Sequence, residues 1–268
     1  MKKLLFLFSF VYCFGALEDF NVGTWNLQGS SAASTESKWT ISIRQLVTGD
    51  NPLDILMVQE AGTLPATATL TGRHVQQGGT PIDEYIWNLG TLSRPNQVFI
   101  YYSRVDVGAN RVNLAIVSRT QADEVIVLPP PTVASRPLIG IRIGNDVFFN
   151  VHALANNGTD AAAAVTSVDM FATTRGIANL NWMVAGDFNR EPLDTLTGLD
   201  RDLRRRVALF FPPSFTQTTS QRTIDYAITG NSNTQTTYAI PSLSAVLMFA
   251  GLRTYLASDH FPVNFRRF

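Results

Sequence analysis

Short β-branched and aromatic runs outnumber helical stretches in this chain, and the helical stretches fall between groups of strands in both halves. Two of the runs, around Ile55–Val58 and Trp182–Ala185, are continuously apolar, as expected of strands buried on both faces. These features predict an α/β fold: a four-layer α/β/β/α sandwich, two packed mixed sheets flanked by helices. A β-sandwich decorated with helices is the alternative. The chain has 268 residues, 45% apolar and 16% charged, enough for a sizeable core. One large domain is expected over residues 17–268.

Residues 1–16 carry a basic start, Met1-Lys2-Lys3, an apolar run from Leu4 to Phe14, and the small pair Gly15-Ala16. That order predicts a cleaved signal peptide and hence a secreted protein. The run is too short to cross a bilayer, which takes ~20 residues, and no other segment reads as transmembrane. The first strand is expected over Phe20–Leu27. Ser34-Thr35-Glu36 is read as the cap of a helix that runs to about Val47. Gly49-Asp50-Asn51-Pro52 breaks it, and Asp54–Glu60 follows as a buried strand with a polar exit.

A Pro-, Gly- and Thr-rich loop is expected from Ala61 to Pro81. Strands are expected at Glu84–Leu89, Val98–Tyr102, Val112–Val117, Glu124–Leu128, Leu138–Ile143 and Val147–His152. An alanine-rich helix, Thr159–Arg175, precedes a buried strand at Asn181–Gly186. A helix over Asp202–Phe211 and end segments at Thr223–Ile228, Leu252–Leu256 and Phe261–Phe268 complete the expected set.

Cys13 is the only cysteine, so cleavage of the leader leaves no thiol. That excludes disulfides, a thiol nucleophile and a cysteine–zinc site in the mature chain. The 21 basic and 21 acidic residues cancel, and loss of Lys2 and Lys3 leaves 19 against 21. A generic nucleic-acid coat is excluded by that balance. After cleavage Lys38 is the only lysine and every other cation is arginine, whose planar fork suits bidentate contact with phosphate.

The chemistry-bearing residues gather at strand ends. They are Thr24-Trp25-Asn26, Val58-Gln59-Glu60, Val151-His152, Gly186-Asp187-Phe188-Asn189 and Ser258-Asp259-His260, with Asp225 inside the Ile224-Asp225-Tyr226 strand. An acid or amide at a strand end is often only turn chemistry. Six such clusters in one chain point instead to a site. Glu60 and Asp259, with the amide oxygen of Asn26, offer hard donors suited to a divalent cation such as Mg²⁺. Of the three histidines, His152 and His260 sit in these clusters, while His74 falls in a polar loop and carries no expected role.

This ordered series resembles the deoxyribonuclease I superfamily. Trp25–Ser31, Pro81–Tyr85, Asn110–Arg119 and Ser135-Arg136-Pro137 are more narrowly similar to the B subunits of bacterial cytolethal distending toxins. The resemblance implies the four-layer sandwich and a metal-dependent phosphodiesterase. It implies that Glu60, Asn26 and Asp259 hold Mg²⁺, with Mn²⁺ or Ca²⁺ as alternatives. It makes His260, oriented by Asp225, a general base or acid, and His152 a second catalytic histidine. It has Asp187 and Asn189 position the attacking water and a phosphate oxygen, and Arg111 and Arg136 grip flanking phosphates. The carboxylate expected to pair with His152 has no clear equivalent; Glu84 and Asn88 both lie in the right region.

The resemblance further implies the catalytic subunit of a bacterial genotoxin, travelling with two lectin-like subunits as a heterotrimer. It would nick host DNA in the nucleus and arrest the cell cycle, without integral membrane association. One alternative is a phosphatidylinositol trisphosphate phosphatase on the same scaffold; another is a non-catalytic binding subunit. Arg201, Arg204, Arg205 and Arg206 form a basic run that could serve nuclear targeting or be only a solvated helix face.

Overall fold

Two parallel strand pairs organise the protein, and each is joined by a helical crossover. The computed structural model describes residues 16–29, 31–77, 80–105, 111–235, 237–249 and 257–268. The expected leader up to residue 15 and the segment Leu252–Leu256 lie outside the described residues. Strand β1 (Val22–Gly29) pairs in parallel with β2 (Ile55–Ala61), with Val22 opposite Ile55. The crossover between them is a helix in three pieces: α1 (Ala32–Ser37), a π-helical stretch (Lys38–Ile43) and α2 (Arg44–Thr48).

The remaining strands of that sheet are β3 (Ala68–Gln77), β4 (Thr80–Asn88), β5 (Gln97–Ser103), β6 (Leu114–Ser118), β13 (Leu243–Leu247) and β14 (Val263–Arg267). Their order is β13-β14-β1-β2-β6-β5-β4-β3. The second sheet uses β7 (Glu124–Leu128), β8 (Leu138–Ile143), β9 (Asp146–His152), β10 (Asn181–Asp187), β11 (Val207–Phe210) and β12 (Asp225–Asn231), in the order β11-β12-β10-β9-β8-β7. Here β9 and β10 are the parallel pair, and α3 (Ala161–Thr174) is their crossover.

Alternation along the central strands divides the core into layers. Ile55 and Met57 of β2 meet Phe148 of β9 and Met183 and Ala185 of β10 between the sheets. Leu56 and Val58 point the other way, into a cluster with Trp39, Ile43 and Leu46 of the first helix. Phe149, Val151, Trp182 and Val184 pack outward against Ala164, Val165 and Val168 of α3. The result is the expected four-layer sandwich, with thin helical layers outside two mixed sheets.

Several local expectations are corrected. The first helix starts at Ala32, capped by Ser31, whose side chain accepts from Ser34 N while Ser34 Oγ accepts from Ser31 N. That reciprocal cap uses serine where glutamate or glutamine is the usual signal, so the sequence pointed three residues late. The expected Ala61–Pro81 loop contains the edge strand β3, whose Thr- and Gly-rich, largely exposed residues give no apolar alternation. The expected helix Asp202–Phe211 ends at once: α5 (Arg201–Arg204) is a single turn, and Val207–Phe210 pairs with β12 instead. A short helix α4 (Pro192–Gly198), opened by proline at its first position, and strand β13 were not anticipated.

Polar side chains also cross between the sheets. Asn150 of β9 donates through Nδ2 to Val58 O and Ala115 O at 2.9 Å each, and its Oδ1 accepts from Gln59 Nε2 at 2.7 Å. Val58 and Ala115 form the last pair of the β2–β6 ladder, so Asn150 caps the end of a ladder in the sheet opposite its own. Asn150→Leu would take this donor from two buried carbonyls and leave the Gln59 amide with Thr24 Oγ1 as its remaining acceptor. The expected loss is at least ~1–3 kcal/mol, read as a lower urea midpoint at unchanged slope. An unshifted midpoint would remove Asn150 as a tie between the sheets.

Candidate active site

The C-terminal ends of the two parallel pairs meet at one end of the sandwich. β1 delivers Asn26, β2 Glu60, β9 His152 and β10 Asp187. Asn26 donates from Nδ2 to Asp187 Oδ2 at 2.9 Å across the sheets, and to Glu60 Oε1 at 3.4 Å. Asp187 is 2% exposed, and burial together with the charge of Asp225 raises its pKa well above the usual carboxylate range. Its Oδ1 accepts from Asn189 N at 2.8 Å, and Asn189 donates from Nδ2 to Ala153 O at 3.1 Å.

Backbone conformation sets these side chains. The β1–β2 register breaks between Asn26 and Gly29, where Gln28 has φ 51° and Glu60 has φ 47°. Asn189 has φ 50° at the exit of β10. Gly186 has φ 154°, and a Cβ there would lie 2.0 Å from Val151 O. Only glycine lets β9 and β10 run this close beside Asp187.

His260 is 4% exposed and enters on the segment before β14. Its Nδ1 lies 2.9 Å from Asp225 Oδ2, on the first residue of β12. Its Nε2 lies 3.7 Å from Asp259 Oδ1, 3.9 Å from Asp187 Oδ2 and 3.3 Å from Gln217 Nε2. Burial pushes the imidazole pKa down, but the charge and hydrogen bond of Asp225, with Asp187 and Asp259, raise it overall. Asp225 N is itself held by Thr216 Oγ1 at 3.0 Å.

His152 has the opposite environment. Burial, then Arg136 and His260, drive its pKa well below the ordinary value, so the ring is neutral. Its Nε2 lies 3.7 Å from both Glu60 Oε1 and Asp187 Oδ2, too long for hydrogen bonds. Its buried Nδ1 has no hydrogen-bond partner among the described residues. A buried bare donor is harder to tolerate than a bare acceptor, so the proton is best placed on Nε2, facing the carboxylates. Neither residue considered as its partner is near: Glu84 binds Arg73, Thr71 and Gln121, and Asn88 Oδ1 accepts from Gly90 N and Asn96 N.

The other expected residues separate by location. Asp259 accepts through Oδ2 from Thr219 Oγ1 at 3.1 Å and from Gln217 Nε2 at 3.3 Å. Arg136 donates from Nη1 to His152 O and Ala153 O at 3.0 and 2.8 Å, which fixes its guanidinium beside the site. Arg111 is exposed, in a bend before β6, and the strand begins at Leu114 and not at Val112 as expected. Asp187, Asp225 and His260 offer ligand atoms within 4.8 Å of one another and so could bind a metal. Burial also raises Glu60, against the opposing bond from Asn26 and the charges of His260 and Arg136.

Residues 23–260 match the endonuclease/exonuclease/phosphatase family. The chain is 50% identical to the B subunit of the Escherichia coli cytolethal distending toxin over the whole of both chains. The chain belongs to the family of cytolethal distending toxin B subunits. A solved structure described as CdtB, the biologically active subunit of cytolethal distending toxin, superposes with a TM-score of 0.88 at 50% identity, over 94% of this chain and 99% of that one. The matching chain in the crystal structure of the Haemophilus ducreyi toxin gives 0.85 at 48% identity, over the same shares. The family supports a nuclease-type hydrolase acting on phosphodiester bonds.

Sequence reasoning missed Gln217, Thr216 and Ser258 as supports. Ser258 Oγ donates to Asn26 O at 2.7 Å, and Trp25 Nε1 donates to His260 O at 3.0 Å. Gln217 lies in a Thr-rich loop without periodicity, and nothing in its neighbours marks it.

The basic run splits into two pairs. Arg204 donates to Thr197 O and Leu199 O, capping α4, and Arg206 forks onto Asp169 of α3 at 3.1 and 2.8 Å. Arg205 and Arg201 are exposed, the latter 3.6 Å from Asp202. Replacing Arg204 and Arg206 by glutamine should lower the melting temperature, by a few degrees for a loss of about 1 kcal/mol. Replacing Arg201 and Arg205 should leave it unchanged while removing any contribution to nuclear import. Normal nuclear entry of that second variant would leave the run without a targeting role.

Proposed function

We propose that the protein is the catalytic subunit of a secreted bacterial genotoxin: a Mg²⁺-dependent endonuclease that nicks host DNA in the nucleus and arrests the cell cycle. Residues 17–268 would be its mature catalytic domain, released from the leader, and two lectin-like subunits would complete a heterotrimer. A relative solved as part of a holotoxin supports that last step. Among the described residues no helix is long and apolar enough to cross a membrane. The observation that carries the reading is the convergence of His152, His260, Glu60, Asp187 and Asn26 from both sheets on one end of the sandwich.

The donor set suits a hard dication. Asp225 is committed to His260 Nδ1, and Asp187 to Asn26 and Asn189. Glu60, which among the described residues takes one long hydrogen bond, from Asn26, is the freer carboxylate, so it would be the principal Mg²⁺ donor with Asn26 and Asp259. Bound there, Mg²⁺ would supply positive charge to the phosphate and offset the acids that hold His260 protonated.

The chain's own groups do the rest. Asp225 fixes the Nδ1–H tautomer of His260, leaving Nε2 to exchange a proton with the attacking water or the leaving oxygen. His152 Nε2–H donates to a phosphate oxygen. Asp187 and Asn189 orient the water and a second phosphate oxygen, and Arg136 and Arg111 hold flanking phosphates without reading bases.

Hydrolysis of phosphatidylinositol trisphosphate by the same groups is the second reading, favoured by a family that spans nucleases and phosphatases. Supercoiled plasmid and soluble phosphatidylinositol trisphosphate, assayed in parallel with and without Mg²⁺, separate the two. A chain that binds Mg²⁺ but turns over neither substrate would have a binding role only. His260→Ala should lower plasmid nicking by ~10²-fold or more with the fold retained. Glu60→Gln should shift the Mg²⁺ midpoint upward; a midpoint equal to the parent's would reassign the principal ligand.

A further inference from the structure

Lys38 is the only lysine outside the expected leader, and it is 4% exposed. Such a solvent-loving ammonium is almost never buried without partners. Its Nζ donates to Leu27 O and, at 3.5 Å, to Gln28 O. Those carbonyls belong to the irregular end of β1, where Gln28 takes φ 51°. Burial pushes the ammonium's pKa down, while the charges of Glu60 and Asp259 pull it back, which places Lys38 in the field of the site.

The turn that Lys38 holds touches two proposed metal donors. Gln28 N donates to Asn26 Oδ1 at 2.9 Å, and Gln28 Oε1 accepts from Asp259 N at 3.2 Å. Lys38 also opens the π-helical stretch between α1 and α2. Such stretches are rare and often sit at functional sites, because the extra residue per turn re-aims a side chain. Here Lys38 reaches β1, while Trp39 and Ile43 stay in the core.

We propose that Lys38 is a positioning residue for the metal site: its ammonium pins the Leu27–Gln28 turn, which in turn sets Asn26 and Asp259. This rests on the reading of Asn26, Glu60 and Asp259 as metal donors. The ammonium is proposed as a support and not as a catalytic group, since two of its three donors face backbone carbonyls. It is the outer support that metal-ligand residues commonly need, whose loss costs ~10–100-fold in affinity or activity.

The test is a double-mutant cycle on Mn²⁺ binding, followed by Mn²⁺ electron paramagnetic resonance, with plasmid nicking in parallel. Lys38→Met keeps the length and removes the donors; Gln28→Ala cuts the turn's link to Asp259 at an exposed position. Each should weaken Mn²⁺ binding about tenfold, and the double variant should be no worse than Lys38→Met alone, because both act through one turn. Nicking should fall in kcat at unchanged KM for plasmid. Unchanged or tighter Mn²⁺ binding in Lys38→Met would overturn the proposal, tighter binding marking the ammonium as a charge that opposes the metal. Fully additive losses would overturn it too. If Lys38→Met does not fold, Gln28→Ala decides alone: parental Mn²⁺ affinity there sinks the proposal. A parent protein that binds no Mn²⁺ would instead sink the metal-site reading beneath it.

Discussion

The site exists only because the two sheets pack in one relative position. Asn26 and Glu60 come from one sheet, His152, Asp187, Asn189 and Asp225 from the other, and His260 arrives on the segment leading into β14. The Asn26–Asp187 bond and the His260–Asp225 contact join the two halves at the end that carries the candidate site. Asn150 and Gln59 join them a few residues deeper, where water is excluded. A slide of one sheet would break all these bonds together. Apolar packing between the sheets is tolerant of small shifts, whereas buried amides with fixed geometry are not. The inter-sheet core therefore supplies cohesion, and the amides supply register.

Backbone strain is concentrated at the same end. Gln28, Glu60 and Asn189 all take left-handed conformations beside the cleft, each at a cost of about 1–3 kcal/mol for a residue with a Cβ. Gln28 and Glu60 are the next-to-last residues of β1 and β2, and Asn189 follows β10 by two residues, so each bends a chain whose preceding residues are fixed in ladders. The sharp reversal turns Glu60 out of a strand that is otherwise fully buried, giving a carboxylate with partial access to solvent. A regular continuation of β2 would have kept it on the face of Leu56 and Val58, toward the Trp39 cluster.

Much of this was legible from the sequence, and the reason is the same in each case. Buried central strands announce themselves as continuous apolar runs, so β2, β9 and β10 and the polar residues that end them were found. Edge strands were found less evenly: β7 was read at its exact bounds, but the largely exposed β3 carries no pattern, the short β13, which turns Leu243, Ala245 and Leu247 onto the core, was not separated from its surroundings, and β11 was absorbed into the arginine-rich helix before it. The arginine run shows the limit from the other side. Four similar residues read as one feature, yet Arg204 binds carbonyls at the end of α4, a short helix the sequence did not announce, and Arg206 binds Asp169, which lies far away in sequence. The partner of His152 stayed open for a related reason. Glu84 and Asn88 sit on β4, four strands away from β1 at the far side of its sheet, and the chain alone does not reveal that distance.

The two histidines of the proposed site show how one cleft can push one residue type in opposite directions. Both are buried, and burial alone would make both neutral. Asp225 reverses this for His260 by meeting its Nδ1 directly, with Asp187 and Asp259 adding to the effect. His152 has no such partner, and its neighbours Arg136 and His260 reinforce neutrality. A neutral ring can donate a hydrogen bond but holds no extra proton to give, while a charged one can deliver a proton and take it back. Environments that push two like groups apart are the mark of an acid–base division. Among the described residues no carboxylate meets Nδ1 of His152; one there would raise that ring as well and erase the difference on which the proposed division of labour depends.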